Sequence, residues 1–188
     1  MPRILVSYSS RFGSTAEIAA AIARELSAAD FDVDVADAGP QIDVSKYDAA
    51  VIGSPSYGRK WLQPAAIFVA GNEAKLAGMP VAVFTAGALG VKSPKSAMRE
   101  HDEILAMLKD IAPSVEPISA GLFHGSFSRK NLPFCLRIVD MLAGTPQGDH
   151  RDWDAIREWS RRVAARFQQR FDGVANSGDE KSDTEDAS

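Results

Sequence analysis

The sequence has a single cysteine, Cys135, in 188 residues, so no disulfide can close within it. A reducing, cytoplasmic setting is expected. No apolar run approaches the roughly 20 residues that a bilayer crossing requires. The opening residues, Met1-Pro2-Arg3-Ile4-Leu5-Val6-Ser7-Tyr8, carry one charge and a brief apolar stretch before turning polar. That pattern suits a first strand better than a secretory signal. Histidine is scarce: His101, His124 and His150 are scattered, without metal-ligand spacing or a second thiol beside them, so no metal site is expected. No nucleophile–base pair stands out either. Excess positive charge is also missing. The formal net charge of −4 resides in residues 173–188, where Asp179, Glu180, Asp183, Glu185 and Asp186 face Lys181 alone. Residues 1–172 are therefore neutral overall and offer no electrostatic case for nucleic acid. The acidic tail has almost no large apolar side chain to offset the entropy of ordering, so residues 173–188 are expected to be disordered, as a solubilising extension or a docking tail.

What is present is an ordinary globular composition, 45% hydrophobic and 24% charged, sufficient to build a core. Residues 1–172 read as one domain of alternating strands and helices. Residues 3–8 form a short apolar run bounded by turn residues, a buried strand. Ile18, Ile22 and Leu26 recur four residues apart within 16–28, an amphipathic helix. The alternation in 32–36 suggests a half-exposed strand near an edge. Residues 49–53 form another buried strand ending at Gly-Ser-Pro. A helix over 62–77, broken near Gly71, then a strand over 80–85, a helix over 96–111, a strand over 115–122 and a last helix over 152–171 complete the series. Such alternation implies a parallel sheet covered on both faces, and right-handed crossovers reduce the topology to a doubly wound sheet. Residues 123–151 do not fit: they exceed what a simple connection needs, and 132–143 reads as a strongly apolar helix.

Chemistry is expected in the loops that follow the strands. The first, Ser9-Ser10-Arg11-Phe12-Gly13-Ser14-Thr15, lies between a buried strand and a helix. The hydroxyls of Ser10, Ser14 and Thr15 and the free amides of a helix start can all donate to a phosphate, and the helix dipole favours an anion there. Gly13 lets the backbone approach closely. No lysine follows in the Walker manner and there is no Gly-x-Gly-x-x-Gly, so neither a nucleotide P-loop nor a dinucleotide site is indicated. The bland alternative is a polar turn that caps a helix.

The run Ser10-Arg11-Phe12-Gly13-Ser14-Thr15 resembles the flavodoxin phosphate fingerprint, and the likeness extends in element order over residues 3–171. Within that family the chain most resembles the menaquinone-dependent protoporphyrinogen dehydrogenases. Ser9-Ser10-Arg11 places an arginine inside the loop, Val51-Ile52-Gly53-Ser54-Pro55-Ser56-Tyr57-Gly58 is similar to that subgroup's second loop, and Ala120-Gly121-Leu122 with Asp152-Trp153 is similar to its C-terminal third. The resemblance implies a five-stranded parallel sheet in the order 2-1-3-4-5, with FMN at the carboxyl ends of the strands, a rule of which flavodoxin is itself a standard instance. It also implies that Ser54, Pro55, Ser56, Tyr57, Gly58 and Trp61 wrap the flavin ring. There, backbone groups tune its redox state, and Tyr57 and Trp61 either stack on it or, for Trp61, fill the core. The third loop, Thr85, Ala86, Gly87, Ala88, Leu89 and Gly90, lets backbone lie against a flat ring. It lacks the aromatic that flavodoxins often place there, a departure that favours an open flavin reached by an organic substrate.

The implied activity is oxidation of protoporphyrinogen IX or a similar hydrophobic donor, with a quinone as acceptor. A flavodoxin-type electron carrier with a protein partner is the alternative. Arg11 either adds charge at the phosphate, reaches a substrate carboxylate, or is solvated. His124, just past the fifth strand, is a candidate for proton handling. The apolar 129–143 segment either packs on the sheet, lines a pocket, or touches the inner face of a membrane. Asp152 is expected to cap the last helix.

Overall fold

The computed structural model describes residues 1–57, 60–87, 94–124, 126–127, 148–149 and 151–179. Five main strands, β1 (Arg3–Tyr8), β2 (Asp32–Asp37), β3 (Ala49–Tyr57), β5 (Val81–Ala86) and β6 (Ser119–Phe123), form a parallel sheet in the order β2-β1-β3-β5-β6. Counting main strands alone, this is the expected order 2-1-3-4-5. A two-residue strand β4 (Lys60–Trp61) turns back antiparallel onto the end of β3. The described helices are α1 (Ser14–Ser27), α2 (Gln63–Gly71), α3 (Glu73–Ala77), α4 (Pro94–Ile111) and α5 (Trp153–Asp179). A separate pair, β7 (Ser126–Phe127) and β8 (Gly148–Asp149), is antiparallel.

Strand periodicity divides the core into two layers. Ile4, Val6, Ala49, Val51, Ala82 and Phe84 pack with α1 and α5. Leu5, Ala50, Ile52, Val81 and Val83 pack with α2 and α4. Both faces are buried, which is why these strands read as continuous apolar runs. Each fully buried Ile, Leu or Phe contributes about 1.5–3 kcal/mol. Strand β2 is the edge, with no fully buried residue, and its carboxylates Asp32, Asp34 and Asp37 discourage pairing with another sheet.

Three boundaries differ from those read in the sequence. Strand β3 continues through Pro55 to Tyr57. The Ser9 amide donates to the Gly53 carbonyl at 2.9 Å, so alternation turns the Pro55 nitrogen to the same side, beyond the last β1 residue, where the missing N–H costs no ladder bond. Strand β6 starts at Ser119 instead of 115, because Pro117 has no amide for the ladder; pairing resumes as the Ile118 amide donates to the Val81 carbonyl at 2.7 Å. Helix α5 runs to Asp179, past the expected end at 171, so residues 173–179, expected within the disordered tail, are helical. Its start matches the reading: the Asp152 Oδ1 accepts from the Ala155 amide at 2.9 Å, an N-cap. The expected apolar helix 132–143 lies outside the described residues. No described helix is long and apolar enough to cross a membrane.

Candidate functional site

Helix α1 lies on one face of the sheet and α2 on the other. The chain therefore reverses its winding between β1 and β3, and the crevice beyond their carboxyl ends is where an open α/β sheet binds ligand. Three loops meet there. The Ser9 amide bonds the Gly53 carbonyl at the root of the first two, and Arg11 acts electrostatically on Tyr57 across them. The second and third are tied by the Trp61 indole, whose Nε1 donates to the Thr85 Oγ1 at 2.9 Å.

The first loop is built to leave donors open. Gly13 is the N-cap of α1 at φ 88°, in the left-handed region, and no side chain caps the helix. The usual capping Ser, Thr or Asp is thus replaced by a residue with no side chain. The amides of Thr15 and Ala16, in the first turn, have no acceptor within the helix. The Ser10 Oγ accepts from the Gly13 amide at 3.0 Å and still carries a proton to donate. The Ser9 Oγ is buried and has no hydrogen-bond partner; the residue is 5% exposed. Thr15, at the other end of the loop, is also buried, at 2%. Ser14 is half-buried, and the exposed Arg11 lies with its guanidinium 5.4 Å from the ring of Phe12.

The second loop is held by its own side chains. The Ser54 hydroxyl donates to the Pro55 carbonyl and accepts from the Leu62 amide, both at 3.0 Å. It fixes the return of the chain into α2 and does not face outward. Trp61 is 6% exposed and belongs to the core layer of α2 and α4. Of the two readings for it, burial supports the core one, with its ring spacing the second and third loops. Pro55 is buried, Ser56 half-buried and Tyr57 47% exposed, so Tyr57 is the aromatic available to a flat ligand. Replacing Trp61 with phenylalanine strands the buried Thr85 hydroxyl, and urea unfolding should register a loss of about 1–2 kcal/mol.

In the third loop, Thr85 and Ala86 are buried. Gly87 has φ 98° and its amide donates to the Phe123 carbonyl at 3.0 Å. A side chain at this angle is strained, so the loop presents backbone at that point. Gly58, Ala88 and Gly90, named above as ring contacts, lie outside the described residues. His124 is half-buried after β6. Among the described residues no group of three or more His, Cys, Asp or Glu could hold a metal.

Burial pushes the Tyr57 phenol pKa up, and the positive charge of Arg11 partly opposes the shift. A raised folded-state value favours the neutral phenol. Its contribution to stability is complete below the unfolded value of about 10 and is lost as pH rises through the higher folded value. In Arg11→Ala the opposing charge is gone, so Tyr57 should titrate at still higher pH. Phenolate absorbance, with Tyr57→Phe identifying the transition, checks this; a shift downward would contradict it.

Two residues at this edge escaped the sequence reading. The Arg151 Nη1 reaches the Glu17 Oε2, in the first turn of α1, at 2.6 Å, and the Arg151 side chain is only 7% exposed. Its guanidinium also lies 4.4 Å from the centre of the Trp153 ring. With the partners 134 positions apart in the chain, no local pattern could have found them. Only the acid in a helix's first turn was visible.

A doubly wound α/β domain with an uncapped, hydroxyl-rich loop at its switch point is a class built to hold a phosphate-bearing ligand. A family model described as a flavodoxin domain matches residues 5–149, and the chain belongs to that family. Solved structures agree in fold. A flavodoxin from the domain Archaea is 17% identical, with a TM-score of 0.55 over 88% of this chain and 99% of that one. Oxidised flavodoxin 2 from Bacillus cereus is 22% identical, with a TM-score of 0.55 over 89% and 99%. A flavoprotein from Lactobacillus acidophilus NCFM, in complex with FMN, is 16% identical, with a TM-score of 0.51 over 65% and 93%. No curated protein matches the chain.

Proposed function

We propose that this chain is an FMN-dependent oxidoreductase that takes reducing equivalents from a hydrophobic donor of the protoporphyrinogen IX kind and passes them to a quinone. The observation that carries the FMN part is the buried, unpartnered Ser9 hydroxyl beside a helix N-terminus with no side-chain cap. An orphaned buried hydroxyl costs about 1–3 kcal/mol, and a phosphate would satisfy it together with the first-turn amides. The residues fit the cofactor in other respects. Gly13 and Gly87 offer backbone without side chains, and Tyr57 is an exposed aromatic at the end of β3. FMN, when bound, supplies the hydride and electron acceptance, so no protein nucleophile is required. This chain's own residues hold the phosphate at Ser9, Ser10 and the amides of Thr15 and Ala16. Trp61 and Thr85 set the spacing of the loops around the ring.

The donor and acceptor rest on the subgroup resemblance and on the neutral charge of residues 1–172, which lacks the strongly acidic rim typical of a dedicated carrier. The carrier reading draws on the structural likeness to flavodoxins. One experiment separates the two. The protein is loaded with FMN, then mixed anaerobically with protoporphyrinogen and a menaquinone analogue. Porphyrin fluorescence that rises faster than with free FMN is the expected result. FMN retained without porphyrin formation moves the assignment to the carrier, and failure to retain FMN removes both.

A further inference from the structure

We propose that Arg151 is a positioning residue for the anion loop, one that raises its affinity for a phosphate by neutralising Glu17. The inference rests on the FMN reading above and specifies how the charge of that site is set. Glu17 stands in the first turn of α1, three residues after the helix begins at Ser14. A carboxylate there suits the helix dipole when nothing else is bound. It is also a negative charge on the same helix turn as the amides offered to a phosphate dianion, and like charges repel even near a protein surface. Arg151 removes that conflict. Its side chain is 7% exposed against 62% for Glu17, and the two meet at 2.6 Å. A guanidinium so deeply buried is held in one place, and the Trp153 ring 4.4 Å away helps to hold it. A different pair joins α1 to α5 itself, where the Arg161 Nε meets the Glu25 Oε2 at 2.8 Å. That second pair lies near the far end of α1, so it aligns the helices without bearing on the loop. Arg151 differs in where it delivers its charge.

The mechanism predicts a preference for the phosphate over the ring. Riboflavin has the same ring as FMN and no phosphate, so the ratio of the two affinities reads the charge of the loop. In Arg151→Gln, FMN affinity should fall roughly tenfold while riboflavin affinity stays within about twofold, and the FMN loss should shrink as salt is raised. Adding Glu17→Gln to that variant should restore most of the FMN affinity. Glu17→Gln alone is exposed enough to fold in any case, and it should tighten FMN by about threefold, again without moving riboflavin. Equal losses of FMN and riboflavin in Arg151→Gln would mean that the residue merely anchors the fold. A double variant as weak as Arg151→Gln would mean that the guanidinium acts on the phosphate directly. An unchanged FMN-to-riboflavin ratio in Glu17→Gln would overturn the proposal even if Arg151→Gln does not fold. Failure of the unsubstituted chain to bind FMN is a separate result, which removes the reading beneath it.

Discussion

Gly53→Ala is expected to be the most damaging single-methyl change in the described part of the molecule, with a loss of about 3 kcal/mol and a fall in Tm of roughly 6–12 °C. Gly53 of β3 pairs with Phe84 of β5, and Phe84 pairs in turn with Gly121 of β6. A large ring therefore sits between two glycines in one row across three strands. A Cβ on Gly53 would lie 2.0 Å from Phe84 Cζ and 2.2 Å from Cε1. Phe84 is fully buried, and its ring meets Phe123 at 6.1 Å and Trp159 at 6.4 Å. The ring has nowhere to retreat, because Trp159 itself covers Gly121, 2.8 Å from where a Cβ would stand. Thermal unfolding of the apo protein measures the loss. Phe84→Leu in the same chain should recover part of it by removing the opposing ring. Gly71→Ala is the control: nothing lies within 4 Å of its Cβ position at the end of α2, and the same substitution should be neutral or slightly stabilising. Comparable losses at both sites would contradict the packing argument.

Ser9→Ala should move stability and binding in opposite directions. The Ser9 Oγ is buried without a partner, so deleting it relieves an unmet hydroxyl and should raise apo stability by about 1 kcal/mol. On the proposed FMN reading, the same deletion removes a donor to the phosphate. A hydrogen bond to a charged group is worth about 1.5–3 kcal/mol, so FMN affinity should fall between roughly tenfold and a hundredfold. Ser7 provides the comparison. Its Oγ is also buried and unpartnered, but it lies inside β1, opposite Ala36 and Ile52. Ser7→Ala should give a similar gain in stability and leave FMN affinity unchanged. Fluorescence titration with FMN and urea unfolding of both variants supply the four numbers. Equal binding by Ser7→Ala and Ser9→Ala would sink the assignment of Ser9 to the phosphate.

The candidate site was legible in the sequence where its features are local. Ser10, Gly13, Ser14 and Thr15 lie between an apolar run and an amphipathic helix, and a phosphate loop is a strand–loop–helix motif contained in a few residues. Gly87 was legible as a residue without a side chain, but its positive φ came only from the structure. Trp61 and Ser54 were harder. An aromatic and a hydroxyl in a ligand loop read equally well as ligand contacts or as supports, and only their partners, Thr85 for one and Leu62 with Pro55 for the other, distinguish the two.

Periodicity and turn residues alone determined the alternation of strands and helices, and with it a doubly wound parallel sheet whose first loop is rich in hydroxyls. These follow from backbone geometry, which repeats within a few residues. Tertiary structure alone decided which residues oppose one another. It placed Phe84 between Gly53 and Gly121, seated Trp61 on Thr85, left Ser9 without a partner, and brought Arg151 to Glu17. Such pairings depend on strand register and helix docking, which join residues far apart in the chain and leave no period in the sequence.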